Sequence, residues 1–494
     1  MRRYNIKNNL NNNKESYENN ENIYTKKVYF ITLGCKVNQY ETNAMITDFI
    51  KLGYSITENI DDAYIVIVNT CTVTNVADKK SRQMLKKAKE KNEKFVVCTG
   101  CMAEKKDLTL EYVDLILNNR GKLNIAKYVT EYLKEKNENT NYDLEYSIDD
   151  TLGYGEFNSD SYQDKKRAIL KIQDGCNMFC TYCIIPYTRG RIRSRDKDNI
   201  INEAKNIAKQ GIKEIVLTGI HLASYGKEKE KIAENYYLID LLEDLNNIDG
   251  ISRIRLGSIE PKLMSEEFLQ RLIKLNKICP HFHLSLQSAT NEILKKMNRK
   301  YTIEEFFEII SRIRKYYIDA MLTTDIIVGF PGETDELFKQ TYENLNQIRF
   351  FKLQVFPYSE REGTVATRFT NKVSKEKKKE RVKSLMQLSD KIQEEYLKQI
   401  VSKYTIDNNG LEVLIEEEKN GEYFGHTANY IKVAIEKEII ENEVKRTILK
   451  EEYKKNINAI DIAEKIIGNI YRVKPKKIIK EEKNINDYYI LSEF

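Results

Sequence analysis

Three cysteines placed alike behind three predicted strands constrain this chain more than any other feature. Cys35, Cys71 and Cys101 stand in ITLGC, VNTC and CTGC, each just beyond a short β-branched run. The runs at 28–33, 64–68, 95–97 and 113–117 alternate with helix-like stretches near 41–52, 77–91 and 122–134. This alternation predicts an open parallel sheet covered by helices. Parallel strands share one direction, and right-handed crossovers set their C-terminal ends along one edge. The fold, rather than local spacing, therefore brings the three thiols together. Three convergent thiolates suggest an iron–sulfur cluster with one open iron.

The expected architecture is α/β and multidomain. Residues 1–25 form an Asn-rich tail too poor in apolar side chains to order itself. Residues 26–138 form the first sheet domain, and 139–161 are a polar linker. A second βα series occupies 162–395, with strands at 167–172, 214–218, 253–258, 281–286, 322–328 and 352–356. Six such units predict a partial, TIM-like (βα)6 barrel. A charged helix spans about 374–403. Short strands at 411–415, 423–426, 430–435 and 466–473 then predict a small antiparallel β-barrel over 396–474. A charged insertion at 438–464 interrupts it, and 475–494 are read as a tail.

Cys176, Cys180 and Cys183 stand in DGCNMFCTYC, directly after the first strand of the second series. Spaced C-x3-C-x2-C, three thiolates can wrap three corners of a cubane and leave the fourth iron for an exogenous ligand. Structural zinc wants a matching second C-x2-C half, which is missing here. The end of a first barrel strand is also where barrel enzymes carry out their chemistry.

Composition supports metal chemistry. The chain has eight cysteines and no apolar leader, so ligation or redox use is expected rather than structural disulfides, in a cytoplasmic protein. Cys98 falls inside a strand and Cys279 just before one, so both are read as structural. No run approaches the roughly 18 apolar residues of a membrane span. The net charge of +6 permits an acidic partner without demanding one.

At DGCNMFCTYC the sequence resembles the radical S-adenosylmethionine (SAM) superfamily. The resemblance implies that Cys176, Cys180 and Cys183 hold a 4Fe-4S cluster whose open iron chelates SAM, the source of a 5′-deoxyadenosyl radical. It also implies that Tyr182 lies beside the cofactor adenine, with Gly219 (VLTGI) and Gly329 (TDIIVGFPGE) at strand ends lining the rest of the cofactor.

The order of sheet domain, radical barrel and small β-barrel resembles the methylthiotransferases over about residues 26–473. Their final module is a TRAM domain, an RNA-binding barrel, and Cys35, Cys71 and Cys101 would hold an auxiliary 4Fe-4S cluster. TLGCKVNQYET, TGIHLASYG and CPHFHLSLQS look most like the branch that converts tRNA N6-threonylcarbamoyladenosine-37 to its 2-methylthio form. That reading implies two 4Fe-4S clusters and SAM as both methyl donor and radical source. It also implies a tRNA anticodon loop as partner, no membrane, and an electron donor such as flavodoxin or ferredoxin. The alternatives are methylthiolation of isopentenyladenosine-37, and an RNA-binding iron–sulfur protein without radical activity.

Arg189, Arg191, Arg193 and Arg195 alternate in TRGRIRSR. Extended, they would share one face and could meet phosphate or a cofactor carboxylate, or they form a solvated basic loop. His281 and His283 alternate on one strand and are expected to point into the barrel.

Overall fold

The structure is a computed structural model that describes residues 26–90, 94–105, 108–135, 154–157, 166–228, 235–407, 410–451, 459–481 and 488–494. The expected tail at 1–25 and most of the expected linker lie outside the described residues.

The first sheet is parallel, in the order β1 (Val28–Thr32), β2 (Ile65–Thr70), β3 (Phe95–Gly100) and β4 (Leu115–Ile116). β2 and β3 are buried at every residue, because a central parallel strand is covered on both faces. Ile65 and Ile67 pack with Met45 and Phe49 on one side, while Val66 and Val68 pack with Leu85 and Ala88 on the other.

The second series forms two four-stranded sheets. One runs β6 (Arg193–Ser194), β5 (Arg167–Asp174), β7 (Glu214–Gly219), β8 (Arg253–Leu256), with β6 antiparallel to β5 and the rest parallel. The other runs β12 (Lys352–Pro357), β11 (Met321–Val328), β10 (His281–Leu284), β9 (Ser258–Ile259), all parallel. The strand expected at 253–258 is therefore split at Gly257, where a side chain would press on the Leu217 carbonyl oxygen at 2.9 Å.

The pleat divides these strands chemically. Leu170, Ile172, Leu217, Leu256, Phe282 and Leu284 pack into one apolar core with the flanking helices. Alternation turns Arg167, Lys171, Glu214, Arg255, His281 and His283 to the opposite, inner face.

After the helix Lys375–Asp407 comes a closed five-stranded barrel. Its strands are β13 (Leu411–Lys419), β14 (Glu422–Thr427), β15 (Lys432–Glu436), β16 (Ile470–Lys480) and β17 (Tyr488–Glu493). Two expectations are corrected here. The presumed tail at 475–494 supplies the end of β16 and all of β17, whose Tyr488 and Ile490 enter the barrel core. The barrel is also not wholly antiparallel, since β15 and β17 pair in parallel. The expected insertion carries the helices Lys437–Glu451 and Ala459–Ile466. Among the described residues no helix is long and apolar enough to cross a membrane.

Candidate functional site

Each N-terminal cysteine sits at a strand exit. Cys35 precedes the helix Lys36–Lys51, Cys71 directly follows β2, and Cys101 directly follows β3. Two glycines with positive φ make the close approach possible. At Gly34 (φ 102°) a Cβ would lie 2.9 Å from Cys71 Cβ, and at Gly100 (φ 96°) it would strike the Thr70 carbonyl. Cys71 and Cys101 are buried while Cys35 is exposed. Burial pushes the Cys71 thiol up to about 11, with repulsion from Cys101 and Cys35 adding to it. Burial also raises Cys101, against the pull of Arg189 and Lys122. The three thiols thus feel one another's charge. Cys98 lies in the packed core with Val96 and Met102, as its strand position implies.

The second set forms a loop after β5. Gly175 (φ 71°) has no room for a side chain against the Arg191 carbonyl. The Cys176 N–H donates to Gly190 O at 3.1 Å, and the Met178 N–H donates to Cys176 Sγ at 3.4 Å. Burial raises Cys176 and lifts Cys183 to about 12, and Cys180 adds repulsion to both.

Residues 296–301 brace this loop. Lys296 O accepts from the Thr181 hydroxyl at 2.8 Å, and Asn298 Nδ2 donates to Phe179 O at 3.0 Å. Arg299 donates to Glu260 at 2.6 Å and to Ser285 O at 2.8 Å, and reaches within 3.5 Å of Cys180 Sγ. Tyr182 packs edge-on against Phe330, ring centroids 6.4 Å apart, so it stands beside the VGFPGE turn. That turn is held by Glu333, which accepts from the Gly329 N–H and pairs with Arg381 at 2.6 Å. Gly219 lies against Gln173. At the same strand ends, Glu260 Oε1 and His221 Nε2 are buried without a hydrogen-bond partner among the described residues.

The two thiol sets are joined by a buried ion cluster. Glu41 accepts from Lys122 at 2.6 Å, Lys171 at 2.8 Å and Arg189 at 2.7 Å, and Arg189 also donates to Asn38 Oδ1 at 2.7 Å. Arg361, beyond β12, adds a second tie by pairing with Asn75 and Asp78. Phe157, in the expected linker, packs against Tyr40 at 6.3 Å.

The arginine run does not present one face. Arg189 is buried on Glu41 and Asp174, and Arg195 on Glu203 and Glu156. Arg193 donates to Arg189 O at 2.7 Å, and Arg191 lies over the Phe179 ring at 4.5 Å. The expected shared phosphate face is corrected for Arg189 and Arg195, because folding closes carboxylates round both, from Glu41 of the first domain and Asp174 for Arg189, and from Glu156 and Glu203 for Arg195. Glu41, Glu260, Arg299 and Arg361 carry no local motif that would have marked them.

Among the described residues no group of three or more His, Cys, Asp or Glu side chains closes round a single ion. A cubane sets its irons at separate corners and spreads its thiolates more widely. The donor set suits such a cluster: three soft thiols, N–H donors to sulfur from Met178, Ile185 and Val73, and the Arg299 cation.

Residues 170–345 match the Radical SAM superfamily, and residues 27–117 match Uncharacterized protein family UPF0004. The chain is 39% identical over 441 residues to the threonylcarbamoyladenosine tRNA methylthiotransferase MtaB of Bacillus subtilis, covering 87% of this chain and 95% of that one. It is 41% identical to the protein of the same name from Aquifex aeolicus, over 75% of this chain and 89% of that one. The tRNA-2-methylthio-N(6)-dimethylallyladenosine synthase of Alkaliphilus oremlandii is 38% identical, over 76% and 81% respectively. By these matches, which run nearly the whole length of its relatives, the chain belongs to the tRNA methylthiotransferase family of radical SAM proteins.

Proposed function

We propose that this chain transfers a methylthio group to C2 of N6-threonylcarbamoyladenosine at position 37 of tRNA. The observation that carries this reading is the match along 95% of the Bacillus subtilis threonylcarbamoyladenosine enzyme. The two thiol sets bridged by Glu41 agree with it.

In this reading Cys176, Cys180 and Cys183 hold the SAM-binding 4Fe-4S cluster, and Cys35, Cys71 and Cys101 hold an auxiliary one. Bound there, the cluster and SAM supply a radical able to attack an unactivated aromatic C–H bond, a reactivity that side-chain acids and bases lack. Arg299 sets positive charge beside Cys180, and Tyr182 with Phe330 forms an apolar wall that keeps water from the cofactor. Gly219 and Gly329 stand at the strand ends that line the cofactor, with Gln173 and Lys378 packed where their side chains would be. Glu41 keeps the two thiol loops in fixed relation.

The sheet domain (26–138), the linker (139–161), a partial (βα)6 barrel (162–395) and a TRAM-type RNA-binding barrel from 396 onward complete the organisation. Its setting is the cytoplasm, with electrons from a flavodoxin or ferredoxin.

Expression in a host lacking its own methylthiotransferases, followed by mass spectrometry of tRNA nucleosides, tests the substrate. The expected product is 2-methylthio-N6-threonylcarbamoyladenosine. Appearance of only the 2-methylthio-isopentenyl nucleoside rejects this reading. Failure of the reconstituted protein to cleave SAM reductively rejects an enzyme altogether.

A further inference from the structure

We propose that Asn38 is the positioning residue of the N-terminal thiol set: its one side-chain amide fixes Cys35 against Cys71, and both against the loop that follows Cys183. This inference rests on the reading above that Cys35, Cys71 and Cys101 hold a cluster.

Asn38 stands in the first turn of the helix Lys36–Lys51 and is 1% exposed. Its Nδ2 donates to Leu33 O at 2.7 Å and to Thr70 O at 3.0 Å. Leu33 lies two residues before Cys35, and Thr70 directly precedes Cys71. Both N–H groups of the amide are thus engaged by the two strand exits that carry these thiols. Its Oδ1 accepts from Arg189 at 2.7 Å. A guanidinium only donates and a carbonyl only accepts, so these partners hold the amide in one orientation.

Neighbouring contacts extend the alignment. The Asn38 carbonyl accepts from Asn69 Nδ2 at 2.9 Å, a second tie to the end of β2. Thr70 Oγ1 donates to Thr99 O and accepts from the Met102 N–H at 3.3 Å, so the chain on both sides of Cys101 is held to the exit of β2. Gly34 leaves room for the amide, since a Cβ there would lie 3.1 Å from Asn38 Nδ2.

The amide acts through backbone rather than on sulfur, and this sets Asn38 apart from Glu41. Glu41 accepts from cations alone, whereas loss of Asn38 leaves two carbonyls without their donor and releases the spacing of two thiols. Three corners of a cubane need three sulfurs at set separations, so loosened exits weaken the auxiliary cluster before the central one.

The test uses the full chain with Asn38→Asp, which keeps the size and the acceptor for Arg189 but has no N–H to give, and with Asn38→Ala. Each is also made in a chain with Cys176, Cys180 and Cys183 replaced by Ala, where any cluster is the auxiliary one. After anaerobic reconstitution, iron is counted, the reduced cluster is followed by electron paramagnetic resonance, and iron is withdrawn with a chelator. Unfolding midpoints are taken on the apo chains. The parent of that background should carry about four irons. Asn38→Asp and Asn38→Ala should release them at about 10- to 100-fold lower chelator concentration, the range for losing a group that orients metal ligands, and with an altered resonance spectrum. With the central cysteines present, the central cluster's spectrum and SAM cleavage without tRNA should persist. Auxiliary iron and spectrum like the parent's in both variants overturn the proposal. Loss of both clusters in step with a collapsed unfolding midpoint also overturns it, marking Asn38 as support for the fold alone. A parent that takes up no iron in that background overturns the cluster reading itself, and the proposal with it.

Discussion

The Glu41 carboxylate accepts a hydrogen bond from Arg189 at 2.7 Å, tying the helix that starts beside Cys35 to the loop that follows Cys183. Lys122 and Lys171 close on the same carboxylate, and all four side chains are buried. Glu41→Ala strands the buried Lys122 and leaves Lys171 and Arg189 to share Asp174, and should cost about 3–5 kcal/mol, read as a lowered midpoint of chemical unfolding.

The same cluster sets an acid limit. Burial alone would raise the Glu41 pKa, but Arg189, Lys122 and Lys171 outweigh it and hold the carboxyl well below its usual range. The unfolded chain then binds the proton first as pH falls. Stability from Glu41 is present above the ordinary glutamate pKa of about 4.3 and is lost as pH drops through the lower folded value. Unfolding curves from pH 7 to pH 3 should show this loss in wild type and a flatter profile in Glu41→Gln.

Loading should likewise improve as pH rises. With Cys71 near 11 and Cys183 near 12, both thiols are protonated at neutral pH before iron binds. Ligation needs thiolates, so assembly releases protons and is favoured as pH rises. Anaerobic reconstitution at pH 7, 8 and 9, followed by visible absorbance, should show increasing extent of loading. A flat profile counts against thiol deprotonation as the limiting demand.

Replacing cysteines separates the sets. Wild type should carry about eight irons per chain and each triple Cys→Ala variant about four. Loss of Cys176, Cys180 and Cys183 should abolish SAM cleavage, while loss of Cys35, Cys71 and Cys101 should spare it and stop sulfur insertion. Cys98→Ala and Cys279→Ala should keep full iron content, because Cys98 lies inside β3 among Val96 and Met102 and Cys279 precedes the start of β10, away from the strand exits.

Tyr430 holds the C-terminal barrel to the core. Its ring stacks between His281 at 4.9 Å and His426 at 4.6 Å, and Arg255 lies 4.6 Å from the ring centroid. Tyr430→Ala should lose about 2–4 kcal/mol from two ring contacts, a cation–π contact and buried area. It should weaken tRNA binding while leaving SAM cleavage without tRNA unchanged. Since Tyr430 has φ of 73°, Tyr430→Gly should be about 1 kcal/mol less damaging than Tyr430→Ala.

The parts of this protein legible in sequence are those with short-range causes. Cys176, Cys180 and Cys183 share one turn of chain, and pleat alternation foretold that His281 and His283 share the inner face. The six strand regions expected in the core were marked by β-branched runs between helical periods, while the two-residue β6 carried no such mark. The strand character of 475–494 is not legible in sequence, because lysines and Pro475 interrupt the alternation of Ile470–Lys480 and nothing local shows that Tyr488 and Ile490 will meet a core built some 70 residues earlier.

The C-x3-C-x2-C loop and the strand-end positions of Cys35, Cys71 and Cys101 were determined by the sequence alone, because spacing and period are properties of neighbouring residues. Which charges pair was decided only by the tertiary structure. Arg189 and Arg195 looked like partners for phosphate and are instead neutralised by Glu41 and Glu203. Coulomb energy and desolvation depend on distances through space, and those exist only after the sheets have packed.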